Sequence, residues 1–161
     1  MTETTMIETL TTERLQALLQ GMGYRVTLSG QEGEPQLLSA SQGIGFAVRS
    51  GNPAPVEGAF LDYTFSCVLR VQGEIPQALA NAWNTQKRFA RVSIQGTFLV
   101  LEYDVIVAGG VSEAYLRATT ELWDRLLQEL IMFLRDFTAA EPQSEDAPAR
   151  QELVADAESE Q

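Results

Sequence analysis

The segment from Pro76 to Phe137 limits the possible folds more than any other part of the chain. It reads as a helix, two strands, a Gly-Gly break and a long helix. Pro76 suits the first turn of a helix, where its missing N–H would have no intrahelical partner. Leu79 and Trp83 follow at helical spacing. The segment therefore predicts a helix that ends near residues 85–88, a β-hairpin and a second helix.

The hairpin is predicted from alternating residues on either side of Gly96-Thr97. Val92 and Ile94 give the first buried row, and the glycine favours a tight turn. Gly109-Gly110 ends the second strand, and Ser112 is an N-cap candidate for the last helix. The second strand contributes a longer apolar row, formed by Leu99, Leu101, Tyr103, Val105 and Val107.

The first half of the chain predicts one helix followed by four strands. Apolar residues at helical spacing follow Thr12, and glycines end that helix. Strands are predicted over 24–28, 36–39, 44–49 and 59–71, from period-2 alternation in the last two. The full order is αββββαββα. Because the strands run in consecutive groups between helices, we expect an α+β fold, an antiparallel sheet with helices packed on one face.

Charge divides the chain into a body and a tail. The formal net charge is −11, and residues 139–161 hold seven acidic residues against one arginine. That segment also has little aliphatic content, a composition typical of disorder. We therefore predict an N-terminal lead-in at 1–10, one α+β domain at 11–138 and an acidic disordered tail at 139–161.

Composition excludes several kinds of catalysis. The chain has no histidine and one cysteine, Cys67. A Ser-His-Asp or Cys-His mechanism is impossible, and so is a zinc site built from histidines or several cysteines. We expect no catalytic residues, no cofactor and no metal. Cys67 falls in an apolar row and is expected to be buried.

The same composition bears on compartment and partners. A single cysteine allows no intrachain disulfide, which fits a reducing cytoplasm. No apolar run reaches the ~20 residues of a membrane span, and the acidic N-terminus lacks a secretory signal pattern. Net negative charge disfavours binding to nucleic acid and to anionic membranes. We therefore expect a cytoplasmic protein that binds neither.

Carboxylates on the predicted sheet are the strongest candidates for chemistry. Glu102 and Asp104 lie two residues apart on one strand, so they project from the same face. Asp62 lies on the matching face of its own strand. Such a set could serve acid–base catalysis or bind a hard cation. A solvated face balanced by arginines is the favoured interpretation, because antiparallel sheets commonly have one face in water.

A glycine pair and a small basic cluster indicate structural roles more than the binding of phosphate or nucleic acid. Gly109-Gly110 lacks the known phosphate-loop patterns, and Glu113 in the next helical turn would repel an anion. Lys87, Arg88 and Arg91 form a small basic cluster, which favours cations at a helix C-terminus over a nucleic-acid surface. Phe89, which lies inside this cluster, is expected to enter the core.

The last helix is more apolar than one buried face requires. One stripe has heptad-like spacing and consists of Leu116, Thr120, Trp123, Leu127, Leu130, Leu134 and Phe137. A second stripe beside it consists of Tyr115, Thr119, Leu122, Leu126 and Phe133. Two interpretations stay open. The helix is deeply buried between the sheet and the first helix, or the second stripe is a partner interface, by default in an isologous homodimer.

Four short motifs lie between Asn81 and Gly110. They are Asn81-Ala82-Trp83-Asn84, Arg88-Phe89-Ala90-Arg91, Leu101-Glu102-Tyr103-Asp104 and Gly109-Gly110. Together they resemble the YbjN-like family, which is described as bacterial sensory-transduction regulators. The resemblance spans roughly residues 11–137. It implies a fold similar to type III secretion chaperones, which are small, acidic, commonly dimeric α+β proteins, and it supplies no catalytic residues.

Three functional hypotheses follow. The first is a non-enzymatic cytoplasmic module that forms a homodimer and regulates or binds an unknown protein partner. The alternative is a secretion-type chaperone that binds a dedicated client protein. The third is an enzyme with an unknown substrate, which would require Asp62, Glu102 and Asp104 to cluster around a deep pocket.

Overall fold

The computed structural model describes residues 5–30, 35–140 and 153–155 of the 161-residue chain. The helices in this part are α1 (Thr12–Gly21), α2 (Gln77–Gln86) and α3 (Glu113–Ala140). The strands are β1 (Leu10–Thr11), β2 (Thr27–Ser29), β3 (Gln36–Ser41), β4 (Ile44–Ser50), β5 (Ala59–Phe60), β6 (Asp62–Val71), β7 (Arg91–Gln95), β8 (Phe98–Ile106) and β9 (Leu153–Ala155).

The main sheet is antiparallel throughout. Six of its strands lie in the order β2-β3-β4-β6-β8-β7, and β9 pairs with the end of β6. The central pair has the longest register, from Asp62 opposite Ile106 to Arg70 opposite Phe98. β1 and β5 form a separate two-stranded ribbon. β7 is an edge strand, which places the turn that precedes it at the border of the sheet.

One core lies between the inner face of the sheet and the three helices. Alternate residues of β6 and β8 supply the inner face, because successive side chains of a strand point to opposite faces. The ring of Trp123 on α3 stacks on Phe65 with 5.1 Å between centroids and meets Phe46 edge-on at 5.8 Å. Such aromatic pairs add about 0.5–1.5 kcal/mol each to the stabilisation from burial.

Local capping sets where two of the helices begin. The Thr11 hydroxyl accepts a hydrogen bond from the Arg14 backbone N–H at 3.1 Å at the start of α1. The Ser112 hydroxyl accepts one from the Tyr115 N–H at 3.0 Å, which confirms Ser112 as a cap of α3. Each such cap contributes about 1 kcal/mol.

The predicted α+β class is confirmed by the structure, and the elements of the predicted order αββββαββα occur in that sequence with three further short strands among them. Three strands, β1, β5 and β9, were not predicted, because a strand of two or three residues is too short to show an alternation of apolar and polar residues. The prediction of one continuous strand over 59–71 was wrong at Leu61. The carbonyl of Leu61 accepts hydrogen bonds from the N–H groups of Val107 at 2.9 Å and Ala108 at 3.1 Å, so β5 separates from β6 there.

The predicted tail at 139–161 lies mostly outside the described residues. Ala139 and Ala140 continue α3, and Leu153–Ala155 form β9. Disorder of the remaining tail residues stays a prediction, as do the exact domain limits.

Candidate functional site

Two side chains of α2 fix the connection between that helix and β7. Trp83 is fully buried and donates its indole Nε1–H to the carbonyl of Ala90 at 3.0 Å. The Asn84 amide donates to the Val92 carbonyl at 2.9 Å and accepts from the Val92 N–H at 2.8 Å. Because β7 is an edge strand, this amide takes the place of a neighbouring strand at Val92. The helix thus holds both the end of the turn and the start of the strand.

The residues between these two anchors form a strained turn, which we call the Phe89 turn (residues 87–90). Phe89 has φ 81°, and the Ala90 N–H donates to the Arg88 carbonyl at 3.0 Å. These are the features of a γ-turn with positive φ, a rare form for a residue other than glycine. Such strain costs about 1–3 kcal/mol and persists only where the surrounding structure enforces it.

The strained residue presents its ring to solvent. The Phe89 side chain is 56% exposed, and the guanidinium of Arg88 lies over the ring, 4.8 Å from its centroid. The expectation that Phe89 enters the core was wrong. Trp83 occupies the core at this point and Ala90 turns inward, so the reversal of the chain between them leaves Phe89 outside.

A groove between α2 and α3 lies beside this turn. Its volume is about 510 Å³, and we call it the α2–α3 groove. Phe133 stands edge-on to Trp83 at 5.4 Å between centroids and stacks on Phe137 at 6.1 Å. The Lys87 ammonium lies 4.0 Å from the Glu129 carboxylate and over the Trp83 ring. The groove is lined by Ala82, Gln86, Lys87, Glu129, Met132, Phe133, Asp136 and Phe137.

The predicted basic cluster does not form one patch. Lys87 folds over the α2–α3 groove, Arg88 covers Phe89, and Arg91 binds carboxylates on the outer face of the sheet. The three cations therefore serve separate contacts.

The carboxylates of the outer sheet face are held in an ion-paired row. Glu102 contacts the guanidinium groups of Arg49 and Arg91, each at 3.0 Å. Asp104 contacts Arg91 at 2.8 Å and accepts a hydrogen bond from the Thr64 hydroxyl at 2.6 Å. Cross-strand pairs explain the arrangement, since Thr64 lies opposite Asp104 and Arg91 lies opposite Glu102.

Electrostatics favours the charged forms of Asp104 and Arg91. Partial burial alone would raise the pKa of Asp104, but hydrogen bonds from Thr64 and Arg91 and the charges of Arg91 and Arg49 outweigh it and lower that pKa. The hydrogen bond to Asp104 raises the pKa of Arg91. A carboxylate held in its ionised form by a guanidinium is a poor general acid or base near neutral pH.

The Asp62 carboxylate binds a loop residue and is not part of the ion-paired row. Its carboxylate accepts from the Asn52 backbone N–H at 3.1 Å and from the Asn52 amide at 2.9 Å. Asp62, Glu102 and Asp104 line neither the α2–α3 groove nor the pocket between α1 and the start of α3. Within residues 5–30, 35–140 and 153–155, no three acidic or cysteine side chains are placed to hold a metal ion. Cys67 is buried in the core, as predicted.

Gly109 and Gly110 form the turn that the sequence indicates. Their φ values are 92° and 103°, which other residues adopt at a cost. The Gly110 N–H donates to the Val107 carbonyl at 2.9 Å, and the chain then bridges to Ile7 through Val111. The pair connects β8 to α3.

The proposed interface stripe of α3 is divided between core and surface. Thr119 and Leu126 are buried within the chain, Leu122 and Phe133 are half-buried, and Tyr115 is exposed. Much of the surplus apolar surface of the helix is therefore used inside the protomer. A role of this stripe in a dimer stays a prediction.

Residues 11–136 match the sequence profile of the YbjN family, described as "Putative bacterial sensory transduction regulator". The chain belongs to this family. Among curated proteins, no sequence matches the chain significantly. No helix in the described ranges is long and apolar enough to cross a membrane.

The residues on which the family resemblance was predicted lie at distinct positions in the structure. Trp83 and Asn84 hold the Phe89 turn, Arg88 and Phe89 are displayed by it, and Asp104 belongs to the ion-paired row. Asn81 is exposed, and its carbonyl accepts from the Thr85 hydroxyl. Sequence reasoning missed the amide clamp at Val92 and the α2–α3 groove. Periodicity gives no sign of either, since both depend on how separate elements meet.

Proposed function

We propose that this protein is a non-enzymatic cytoplasmic regulator that acts by binding another protein through the Phe89 turn. Membership of a family of sensory-transduction regulators supports the regulatory role. The observation that carries the binding role is the exposed Phe89 ring, held out by a strained backbone. Strain at an exposed side chain is common at binding sites, where it pre-organises a contact.

The chemistry of the turn fits a protein partner. Aromatic residues and arginine dominate the binding energy of protein interfaces. Here Arg88 already covers one side of the Phe89 ring, so little side-chain freedom is lost on binding. Trp83 and Asn84 fix the backbone on both sides of the turn. A rigid, exposed aromatic anchor therefore favours recognition of an apolar pocket on a protein.

The non-enzymatic role is supported by the state of the carboxylates. Glu102 and Asp104 are each bound by arginine, and Asp62 is bound to a loop. None of the three is a free acid or base next to a described pocket. The geometry favours a structural sheet face over a reaction centre.

The test compares capture by two variants of the full chain. Immobilised wild type, Phe89→Gly and Val56→Gly are exposed to soluble extract of the native host, and the bound proteins are quantified by mass spectrometry. Val56 is the matched control, since it is an exposed apolar residue in a loop elsewhere. We expect a protein that wild type and Val56→Gly retain and that Phe89→Gly loses at least tenfold.

The captured protein is then purified and titrated calorimetrically against the same three chains. The same order of affinities would establish direct binding through Phe89. Retention of an unchanged set of proteins by Phe89→Gly would contradict the proposal.

A further inference from the structure

We infer that the α2–α3 groove receives the Phe89 turn of a second copy of this chain, in a reciprocal homodimer. The inference rests on the proposed function in taking the Phe89 turn as a binding surface, and a second copy and another protein would compete for that turn. In such a dimer each copy contributes one turn and one groove. A two-fold arrangement of this kind is the commonest form of protein self-association.

The first argument is the apolar fit. Phe133, Phe137 and Ala82 give the groove an apolar lining, and Met132 on it is 59% exposed. A flexible thioether is well suited to cover an incoming aromatic ring. Among the large apolar side chains described, Phe89 and Met132 are two of the few that remain mostly in solvent. Docking of one on the other would cover both.

The second argument is charge. The groove carries two carboxylates, Glu129 and Asp136, and one cation, Lys87, which lies 4.0 Å from Glu129. No described residue forms an ion pair with Asp136. The incoming turn carries Arg88, an exposed residue whose guanidinium lies over the Phe89 ring. Insertion of the turn would bring an unpaired cation to an unpaired anion at the rim of an apolar contact, which favours specific pairing.

The third argument is position. Lys87 is both the first residue of the Phe89 turn and a lining residue of the groove. The donor and acceptor surfaces are therefore contiguous, and a two-fold axis near Lys87 can satisfy both contacts at once. An isologous interface uses the same self-complementary patch on both copies, and the contiguous turn and groove provide such a patch.

Sedimentation velocity on the full-length chain provides the first test. Samples from 1 to 200 µM are run at 150 mM salt, because a net charge of −11 makes two copies repel at low ionic strength. We expect a concentration-dependent dimer. Phe89→Gly should weaken dimerisation on the order of 100-fold, since each dimer loses two aromatic anchors. Val56→Gly should leave it unchanged.

A charge exchange tests the assigned contact. Arg88→Glu and Asp136→Arg should each weaken the dimer about tenfold, because each places like charges together twice. The double variant restores opposite charges and should dimerise within about threefold of wild type. If Arg88 and Asp136 are distant from each other in the dimer, the losses of dimer affinity in the two single variants would add in the double variant.

Three results would overturn the inference. They are a monomeric wild type at 200 µM, a dimer that Phe89→Gly leaves intact, and a double variant that is no better than its singles. If the chain is monomeric and captures another protein through Phe89, the dimer is excluded and the proposed function is supported. A dimer that shows the expected variant pattern, with no Phe89-dependent capture, would support the inference and contradict that function.

Discussion

At the scale of single residues, Phe89 is where local preference and global structure disagree most. A phenylalanine at φ 81° is unfavourable by itself, yet the contacts of Trp83 and Asn84 leave the backbone no alternative. No property of the residue types predicts this, because a positive φ is expected at glycine and the sequence has phenylalanine. The prediction of a buried ring failed for that reason.

Replacing Phe89 by glycine should make the fold more stable. Glycine adopts positive φ freely, which removes about 1–3 kcal/mol of strain, while its extra chain entropy costs about 0.5–1 kcal/mol. The exposed ring loses little packing. We expect the free energy of unfolding, measured in urea, to rise by about 0.5–1 kcal/mol.

Phe89→Ala is the matched control for strain, since alanine also lacks the ring and keeps a Cβ. It should show no such gain. Equal stability of the glycine and alanine variants would contradict the presence of strain at this residue.

Asp104 should make stability depend on pH. The folded-state pKa of Asp104 is lowered, so the charged form favours folding. This contribution is present above the unfolded pKa, near 4, and is lost as pH falls through the folded pKa. In urea titrations, wild type should therefore lose more stability between pH 6 and pH 3 than Asp104→Asn. Parallel losses in the two proteins would show that Asp104 is not stabilised in the fold.

At the scale of elements, long periodic segments were predictable and their junctions were not. The alternation in β6 and β8 and the apolar face of α3 follow from the spacing of residues in the sequence. The break at Leu61 and the clamp at Val92 depend on contacts with distant segments. The candidate site lies at one such junction, so its motif residues were named from a resemblance while their geometry was not foreseen.

The Asn84 clamp should protect the edge of the sheet. In Asn84→Ala, the Val92 N–H and C=O lose their amide partner, at a cost of about 1–2 kcal/mol for two partly exposed hydrogen bonds. The Val92 amide should then exchange hydrogen faster with deuterium oxide, while the amide of Val100, inside the β6–β8–β7 region, keeps its rate. Unchanged exchange at Val92 would exclude the clamp.

At the scale of the whole molecule, a single core accounts for the extent of the family match. Among residues 5–30 and 35–137, the buried apolar side chains run from Ile7 to Leu134, and the family profile covers 11–136. The acidic residues at the end of the chain add charge outside this span. The division into a body and an acidic tail stays a prediction from composition, and the pairing of β9 with β6 could not be predicted from three residues.

A chain that ends at residue 140 should therefore keep its fold. It loses the three-residue pairing of β9 with β6, and it also loses seven carboxylates against one arginine, which reduces self-repulsion. These effects oppose each other, so we expect the free energy of unfolding to change by no more than about 1 kcal/mol. The full-length variant Val154→Pro isolates the contribution of the β9–β6 pairing to stability. Proline has no backbone N–H to donate opposite Arg70. Urea unfolding measures both, and a loss above about 3 kcal/mol in the shortened chain would mean that the tail is part of the core.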